Sequence, residues 1–226
     1  MGGNRFIWIG THRGGSPMII AVDGPAASGK GTIARALARH YGLPHLDTGL
    51  LYRAVAANVQ RLELEGSIEA DAIAACDFDD ALLEDPILRT DEIGTLASVV
   101  SAHPLVRASL LQRQRRFAAQ PGGAVLDGRD IGTVIAPDAD AKLFIRATPN
   151  IRAKRRHAEL RTAGSTISID KVLADIRARD LRDSTRSSAP LVPAKDSALL
   201  DTSFLSIEAS IQRAIAIVEA KIAVAP

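Results

Sequence analysis

Short apolar runs alternate with helical periodicities along most of this chain. Apolar stretches that end in polar or glycine-rich residues predict strands, whereas apolar residues spaced three or four apart predict helices. Strands are predicted at the run that begins at Met18 and at residues 43–47, 124–127, 141–146 and 198–202. The longer helices are predicted at 33–41, directly after 48–49, at 105–119, at 151–164, at 168–183 and from near Ser206 onward. This alternation predicts an α/β fold.

The first apolar run leads into a glycine-bounded loop and then a helix. Gly24, Gly29 and Lys30 match the G-x-x-x-x-G-K core of a phosphate-binding loop. Backbone N–H groups and the helix N-terminus bind phosphate oxygens in such a loop, and the lysine reaches the outer phosphates. The residues predicted to bind the phosphates are Gly24, Pro25, Ala26, Ala27, Ser28, Gly29, Lys30, Gly31 and Thr32.

The residue after Lys30 departs from the strict pattern. Gly31 stands where a serine or threonine is expected, and Thr32 follows one place later. A hydroxyl in this region helps to order magnesium, so the shift weakens the assignment of Thr32 to the metal. The alternative for the whole stretch is a glycine-rich turn that binds nothing.

A second strand end carries the polar residues 47–49, ahead of a helix with Tyr52 and Arg53 in its first turns. Ligands bind at such strand ends in open α/β sheets. Asp47 and Thr48 can also cap the helix, and a cap can at the same time contact a ligand.

Asp127 ends the third predicted strand, ahead of a charged loop at 128–133. A carboxylate at this place beside a phosphate loop can orient magnesium-bound water. The alternative is a turn residue that caps Gly128.

Two predicted helices each carry a row of arginines. Arg152, Arg155 and Arg156 share one face, which predicts either a mobile lid over polyphosphate or a solvated basic face. A second row follows at i, i+3, i+4 and i+7, formed by Arg179, Arg182, Asp183 and Arg186. Because guanidinium groups bind phosphate oxygens in pairs, this surplus of positive charge suits a phosphate clamp, with a surface ion-pair ladder as the alternative.

The segment 63–104 differs in composition from its surroundings. Acidic residues are frequent from Glu63 to Glu92, and short helical patterns occur at 71–75 and 90–100. This pattern predicts a small helical or mixed insertion between two strands of the core. Residues 1–17 are expected to form a loose N-terminal extension, with Met18 as a candidate natural start.

The bulk composition narrows the function classes. With 28 basic and 26 acidic residues the net charge is only +2, which disfavours a nucleic-acid binder. The single cysteine, Cys76, excludes an internal disulfide and a multi-cysteine metal site. No apolar run is long enough to cross a bilayer. Nucleic-acid and membrane partners are therefore not expected, and we further expect a monomeric cytoplasmic protein, although neither property follows from composition.

Several separated segments together resemble one known family, the bacterial cytidylate kinases (CMP/dCMP kinases) of the P-loop nucleoside monophosphate kinases. The resemblance runs from Met18 to the C-terminus and is carried by residues 23–25, 29–32, 47–49, 52–53, 126–133, 179–186, 189–191 and 205–208. It implies a three-layer P-loop NTPase fold of the α/β class with a five-stranded parallel sheet. It also implies a core (18–52, 105–150 and 168–226), a monophosphate-binding insertion (53–104) and a short lid (151–167).

The resemblance further implies transfer of a phosphoryl group from ATP, with Mg²⁺, to CMP or dCMP. The implied catalytic residues are Lys30, Asp127, Arg129, Arg155 and Arg186, with Arg155 also on ATP and with Thr32 and Asp127 on the metal. For the acceptor, phosphate contacts are implied for Thr48, Arg53, Arg129 and Arg186, cytosine contacts for Ser98, Arg107 and Asp130, and sugar contacts for Tyr52, Arg179 and Asp183.

The chemistry of cytosine agrees with these roles. Asp130 can accept from the N4 amino group while Arg107 donates to N3 and O2, and uracil reverses the polarity at N3 and at its O4. Two rival functions stay open. One is another small-molecule P-loop kinase, for AMP, UMP or a hydroxyl substrate with Asp47 or Asp130 as base. The other is a nucleotide-dependent switch, although the chain has no Asn-Lys-x-Asp guanine motif.

Overall fold

The computed structural model describes residues 17–224, and its centre is a five-stranded sheet in which every neighbouring pair is parallel. The strands are β1 (Met18–Asp23), β2 (His45–Asp47), β3 (Gly123–Gly128), β4 (Ala141–Arg146) and β5 (Ala198–Asp201). Their order across the sheet is β2-β3-β1-β4-β5, so β1 is central and β2 and β5 form the edges. The five-stranded parallel sheet is thereby confirmed.

Helices connect the strands and cover both faces of the sheet. Those of residues 17–224 are α1 (Lys30–Tyr41), α2 (Thr48–Arg61), α3 (Glu69–Ala74), α4 (Asp91–Val100), α5 (Pro104–Ala118), α6 (Pro149–Thr162), α7 (Ile169–Thr185) and α8 (Ile207–Val224). Two 3₁₀ turns, Asp80–Glu84 and Pro86–Arg89, precede α4, and a π-helical turn, Ile131–Ile135, follows β3. No helix in this described part of the chain has the length and apolar character needed to span a membrane.

Local sequence signals account for many helix ends. Gly42 ends α1 in the left-handed region at φ 65°, where its N–H bonds to Ala38 O. Side-chain caps begin the helices α2, α4 and α7, from Asp47, Thr90 and Ser168 respectively. The cap predicted at Asp47 is therefore confirmed.

Both faces of the central strand are buried, as expected for a parallel sheet covered by helices. Ile20 and Val22 pack with Leu37 of α1 on one face, and Ala21 packs with Leu126 on the other. Burying one large aliphatic side chain stabilises a protein by about 1.5–3 kcal/mol. These contacts hold the strand that leads into the phosphate loop.

A separate apolar cluster holds together α2, α4 and α5, with Leu51, Val55, Leu88, Ile93 and Leu110 among its buried members. It includes many side chains of the segment 63–104, which is helical with 3₁₀ turns and lies between β2 and β3 in the chain. The predicted extension at 1–17 lies outside the described residues except for Pro17.

One helix is shorter than its pattern allows. If the helix of the second arginine row continued through position 186, all four residues would lie along it, but α7 ends at Thr185. Arg186 leaves the helix with ψ 143°. Its guanidinium is nevertheless brought to 3.7 Å from Asp130, so tertiary packing rather than helical spacing places it.

Candidate functional site

The loop between β1 and α1 has the backbone of an anion cradle. Gly24, Ala27 and Gly29 all have positive φ, at 155°, 56° and 91°. A Cβ at Gly24 would lie 2.2 Å from Ile145 O, so only glycine fits there. The loop ends at the first turn of α1, whose N–H groups have no partner within the helix and attract anions. Ser28 Oγ is buried here and has no hydrogen-bond partner among the described residues.

Two arginines of α6 hold this loop from outside. Arg152 bonds to Ala26 O at 3.3 Å and to both carboxylate oxygens of Asp180. Arg155 donates to Ser28 O at 3.3 Å and to Thr202 O at 2.6 Å. The alternative of a solvated basic face is therefore wrong for Arg152 and Arg155, because both contact the phosphate loop.

The third arginine of that row takes a different direction. Arg156 forms an ion pair with Asp91 at the start of α4 and another with Glu159, and it is 29% exposed. Of the three arginines on this face, Arg152 and Arg155 therefore contact the phosphate loop, whereas Arg156 contacts the segment 63–104.

Asp127 joins the phosphate loop to the end of β3. It is fully buried, with Oδ2 3.3 Å from Lys30 Nζ and Oδ1 2.7 Å from His45 Nε2. Burial alone would raise the pKa of Asp127, but Lys30 and His45 outweigh burial and hold the pKa below its ordinary value. The carboxylate therefore faces two side chains of the site rather than capping a turn at Gly128.

The surroundings of Asp127 suit a hydrated divalent cation. Magnesium prefers oxygen ligands and keeps several waters, so one carboxylate together with substrate phosphates is a sufficient donor set. Gly31 lies beside the carboxylate, since a Cβ there would be in ordinary contact with Asp127 Oδ2 at 3.7 Å. Thr32 lies half-buried in the first turn of α1. Within residues 17–224, no cluster of three or more His, Cys, Asp or Glu side chains could hold a metal unaided.

Four arginines lie together beyond β3, where their positive charge suits the binding of an anion. Arg129 Nε donates to Asp183 Oδ2 at 2.7 Å, and Arg53 donates to Leu88 O at 2.6 Å. Arg179 is held with its Nε buried and without a hydrogen-bond partner in the described part of the chain. Burial and the nearby Arg129 lower the pKa of Arg179 to about 10. The fourth member, Arg186, lies near Asp130.

Of the second arginine row, Arg182 is exposed, whereas Arg179, Asp183 and Arg186 do not form a surface ion-pair ladder. The side chains of Asp183 and Arg186 are only 6% and 5% exposed, and the guanidinium groups outnumber the carboxylates. A buried excess of positive charge is costly without an anion, whereas a phosphate oxygen can accept several guanidinium N–H groups. The geometry therefore favours the phosphate clamp.

Beside the clamp, Arg107 and Asp130 form a buried ion pair. Arg107 also donates to Ser101 O at 3.2 Å, and its guanidinium lies over the ring of Tyr52, 5.4 Å from the ring centre. Next to the pair is a cavity of about 170 Å³, whose lining includes Tyr52, Arg107, Asp130 and Gln114. Arg107, Asp130 and Tyr52 form what we call the acceptor corner. It places a fixed hydrogen-bond acceptor, Asp130, beside a fixed donor, Arg107.

The remaining predicted residues lie around these groups. Ser98 is buried on α4, where its hydroxyl accepts from Arg182 Nε at 3.3 Å. Thr48 Oγ1 donates to the backbone oxygen of Asp127 at 2.9 Å, which places it beside the residue that is the candidate metal ligand. Both Ser98 and Thr48 therefore lie near the site.

Sequence reasoning missed four residues that shape the site: Asp23, His45, Gln114 and Thr202. Thr202 Oγ1 donates to Ser28 O at 2.9 Å, and Asp23 accepts from the backbone of the turn after β3. Asp23 and Thr202 lie where strands end, and Asp23 also stands in one of the segments that carry the family resemblance. Nothing local marks Gln114, because its place on α5 matters only once α5 packs against Tyr52.

Comparison with known proteins gives a consistent result. A sequence model of the family described as cytidylate kinase matches residues 20–220. A cytidylate kinase of Xanthobacter autotrophicus is 60% identical over 207 residues, covering 90% of this chain and 98% of that protein. One of Methylocella silvestris is 55% identical over 208 residues, covering 89% and 94%. An uncharacterized protein of Eubacterium ventriosum shares the fold alone, with 16% identity and a TM-score of 0.53 over 89% of this chain and 98% of that protein.

Proposed function

Because this chain belongs to the cytidylate kinase family, we propose that it transfers the γ-phosphoryl group of ATP to CMP or dCMP. The products are ADP and CDP or dCDP. The observation that carries the proposal is the end of β3, where Asp127 pairs with Lys30 and, three residues later, Asp130 pairs with Arg107. One strand end thus connects the phosphate loop to the corner that can read a base.

The donor half of the site binds the ATP phosphates. Backbone N–H groups of residues 26–32 surround them, since Pro25 has none to donate, and Lys30 carries its charge to the β- and γ-phosphates. Arg155, already bonded to Ser28 O, adds a guanidinium from the segment 151–167. Closure of that segment as a lid would exclude water and so suppress hydrolysis of ATP.

The acceptor half binds the nucleoside monophosphate. Arg53, Arg129 and Arg186 bind its phosphate together with Thr48, and Tyr52, Arg179 and Asp183 contact the sugar. Arg107, Asp130 and Ser98 bind cytosine, with Asp130 accepting from the N4 amino group. The residues 53–104 act as the monophosphate-binding region of this half. The support for these roles is the surplus of buried guanidinium groups beside a paired donor and acceptor.

The chemistry needs positioning and positive charge more than proton transfer. A phosphate oxygen of CMP is already anionic near neutral pH, so it attacks the γ-phosphorus without a dedicated base while the bond to the β-phosphate oxygen breaks. Lys30, Arg129 and Arg186 stabilise the charge on the equatorial oxygens. Magnesium, held by Asp127 with Thr32 nearby, supplies further charge neutralisation when it is bound.

The cellular setting is inferred from the same premise. We infer a monomeric cytoplasmic enzyme whose partners are ATP, CMP and dCMP, with no nucleic acid and no membrane. The near-neutral charge of +2 supports small-molecule substrates over polyanions. Size-exclusion chromatography with light scattering tests the oligomeric state.

The deciding experiment measures ADP release from Mg-ATP with CMP, dCMP, UMP, AMP and GMP offered separately. Preference for CMP and dCMP is the expected result. Preference for AMP or UMP would keep a kinase but overturn the cytosine contacts. No release with any acceptor, in a protein that binds ATP, would overturn the kinase and favour a nucleotide switch.

A further inference from the structure

His45 lies on the edge strand β2, directly beside the strand that carries Asp127. In the parallel register His45 is the partner of Val125, and Asp47 is the partner of Asp127. Because side chains on a strand alternate between faces, Val125 and Asp127 project from the same face of the sheet. His45 projects from that face too, two residues out of register with Asp127. Strand pairing therefore brings an imidazole to a carboxylate 82 residues away in sequence.

The direction of this hydrogen bond follows from chemistry. Asp127 forms an ion pair with Lys30, and the oxygens of an ionised carboxylate can only accept. The proton in the 2.7 Å contact therefore belongs to His45 Nε2, which donates to Asp127 Oδ1. Lys30 lies at the other oxygen, Oδ2, at 3.3 Å. The two oxygens of one carboxylate thus have different partners.

We propose that His45 is a positioning residue of the phosphoryl-donor site, which fixes the Asp127 carboxylate so that Oδ2 faces Lys30 and the phosphate loop. The inference rests on the proposed function, since it concerns the carboxylate assigned to the metal–nucleotide. An aspartate carboxylate rotates about χ2 in a broad well, so packing alone does not hold the plane of the carboxylate with one oxygen directed at the phosphates. A donor bonded to one oxygen holds that plane and so keeps the other oxygen directed at Lys30. In this role His45 contacts neither nucleotide and acts only through Asp127.

Loss of the donor has two consequences. One carboxylate oxygen becomes a buried acceptor without a partner, which removes the contact that holds the observed orientation. The carboxylate plane can then turn, so that neither oxygen stays directed at Lys30. Residues that orient a metal-binding carboxylate change metal affinity or activity by about 10–100-fold when they are removed. The effect should fall on the donor side and spare the CMP side.

The test compares three replacements of one residue. Glutamine places an amide N–H near the position of imidazole Nε2, whereas asparagine is too short and alanine has no donor. We expect H45A and H45N to lower kcat about 10-fold and to raise the Mg²⁺ concentration needed for half-maximal activity, with the KM for CMP unchanged. H45Q should recover most of both losses. The exposed His40 provides the control, since H40A removes a histidine from the last turn of α1.

Two further readouts do not depend on turnover. Mg²⁺ should increase the affinity for a fluorescent ATP analogue in the wild type. This increase should be smaller in H45A and should recover in H45Q. In ¹⁵N-histidine-labelled protein, the Nε2 proton of His45 should be visible by NMR and should shift or exchange faster in D127N. Equal behaviour of the alanine, asparagine and glutamine variants, or a rise confined to the KM for CMP, would overturn the positioning role.

The same set of variants separates this inference from the proposed function. If D127N abolishes CMP-dependent ADP release while H45A matches the wild type, only the role of His45 is wrong. If the wild type shows no CMP-dependent release, the proposed function itself fails, whatever the NMR signal of His45 shows.

Discussion

The carboxylate of Asp23 accepts hydrogen bonds from the backbone N–H groups of Ile131 and Gly132, both at 2.8 Å. This contact ties the last residue of β1 to the turn after Arg129 and Asp130. One buried carboxylate therefore fixes the phosphate loop and the acceptor corner relative to each other.

The first prediction concerns the pH dependence of stability. Burial raises the pKa of Asp23 to about 6, and the two backbone N–H groups oppose this only in part. The folded protein thus binds the proton more tightly than the unfolded chain does. The contribution to stability is complete below the ordinary pKa of 3.8 and is lost as the pH rises through about 6.

In Asp23→Asn this titration is removed. Apart from a constant offset from the amide, the free energy of unfolding of the variant relative to the wild type should increase by about 2 kcal/mol between about pH 4 and pH 7. Urea denaturation across that range measures the difference. The same replacement at the exposed Asp138 serves as the control. A difference that stays flat with pH would contradict the assignment.

The second prediction concerns base selectivity. Asp130→Asn replaces the acceptor for the cytosine amino group with a side chain that can also donate to the O4 of uracil. We expect kcat/KM for CMP to fall about 10²-fold or more, and the ratio of UMP to CMP activity to rise. Steady-state kinetics with both nucleotides measure it. An unchanged ratio would mean that Asp130 does not read the base.

A matched stability measurement belongs to that experiment. Removing one partner of a buried ion pair costs about 3–5 kcal/mol, because Arg107 would be left buried without its carboxylate. Assays should therefore run well below the unfolding midpoint of the variant. Asp130→Glu keeps the charge, so recovered stability with altered selectivity would separate the two effects.

The third prediction compares two ion pairs made by neighbouring turns of α6. Arg152 is 4% exposed and binds Asp180 through both carboxylate oxygens, whereas the side chains of Arg156 and Asp91 are 29% and 53% exposed. Arg152→Ala should lower the free energy of unfolding by about 3 kcal/mol. Arg156→Ala should lower it by less than about 1 kcal/mol.

The binding consequences should differ in the same order. Arg152 also donates to Ala26 O, so its loss should weaken ATP binding, while CMP binding is affected less. Calorimetric titration with each nucleotide tests this. Equal destabilisation by the two variants would show that the exposure difference does not decide the energetics.

The sequence predicted the contiguous phosphate loop better than the contacts made by Asp23 and His45, for a physical reason. The residues from Gly24 to Lys30 are contiguous, so strand, loop and helix are visible in one short stretch. His45 and Asp23 act through partners more than 80 residues away, which only the parallel pairing of β2 and β1 with β3 brings close.

Helical spacing predicted the positions of some arginines correctly and could not predict the contacts of others. The spacing of Arg179 and Asp183 correctly placed them on one face, since a helix imposes that geometry whatever packs against it. The same spacing could not say that Arg152 would be buried or that Arg156 would pair with Asp91, because both facts depend on the docking of α6. Arg186 follows the last residue of α7, so helical periodicity does not determine where its side chain lies.

The last prediction concerns the phosphate clamp. Arg186 Nη2 is buried without a hydrogen-bond partner among residues 17–224, and burial together with the nearby Arg107 lowers the pKa of Arg186. A phosphate oxygen would satisfy this donor and relieve the repulsion between the two guanidinium groups. Arg186→Lys keeps the charge but loses the fork of donors, so kcat should fall about 10²-fold with the KM for ATP unchanged. The control is Arg213→Lys on the exposed face of α8. Rapid-quench measurement of a single turnover reports the transfer step itself. If Arg186→Lys alters only the unfolding midpoint and leaves that step at the wild-type rate, Arg186 supports the fold and does not contact the transferring phosphoryl group.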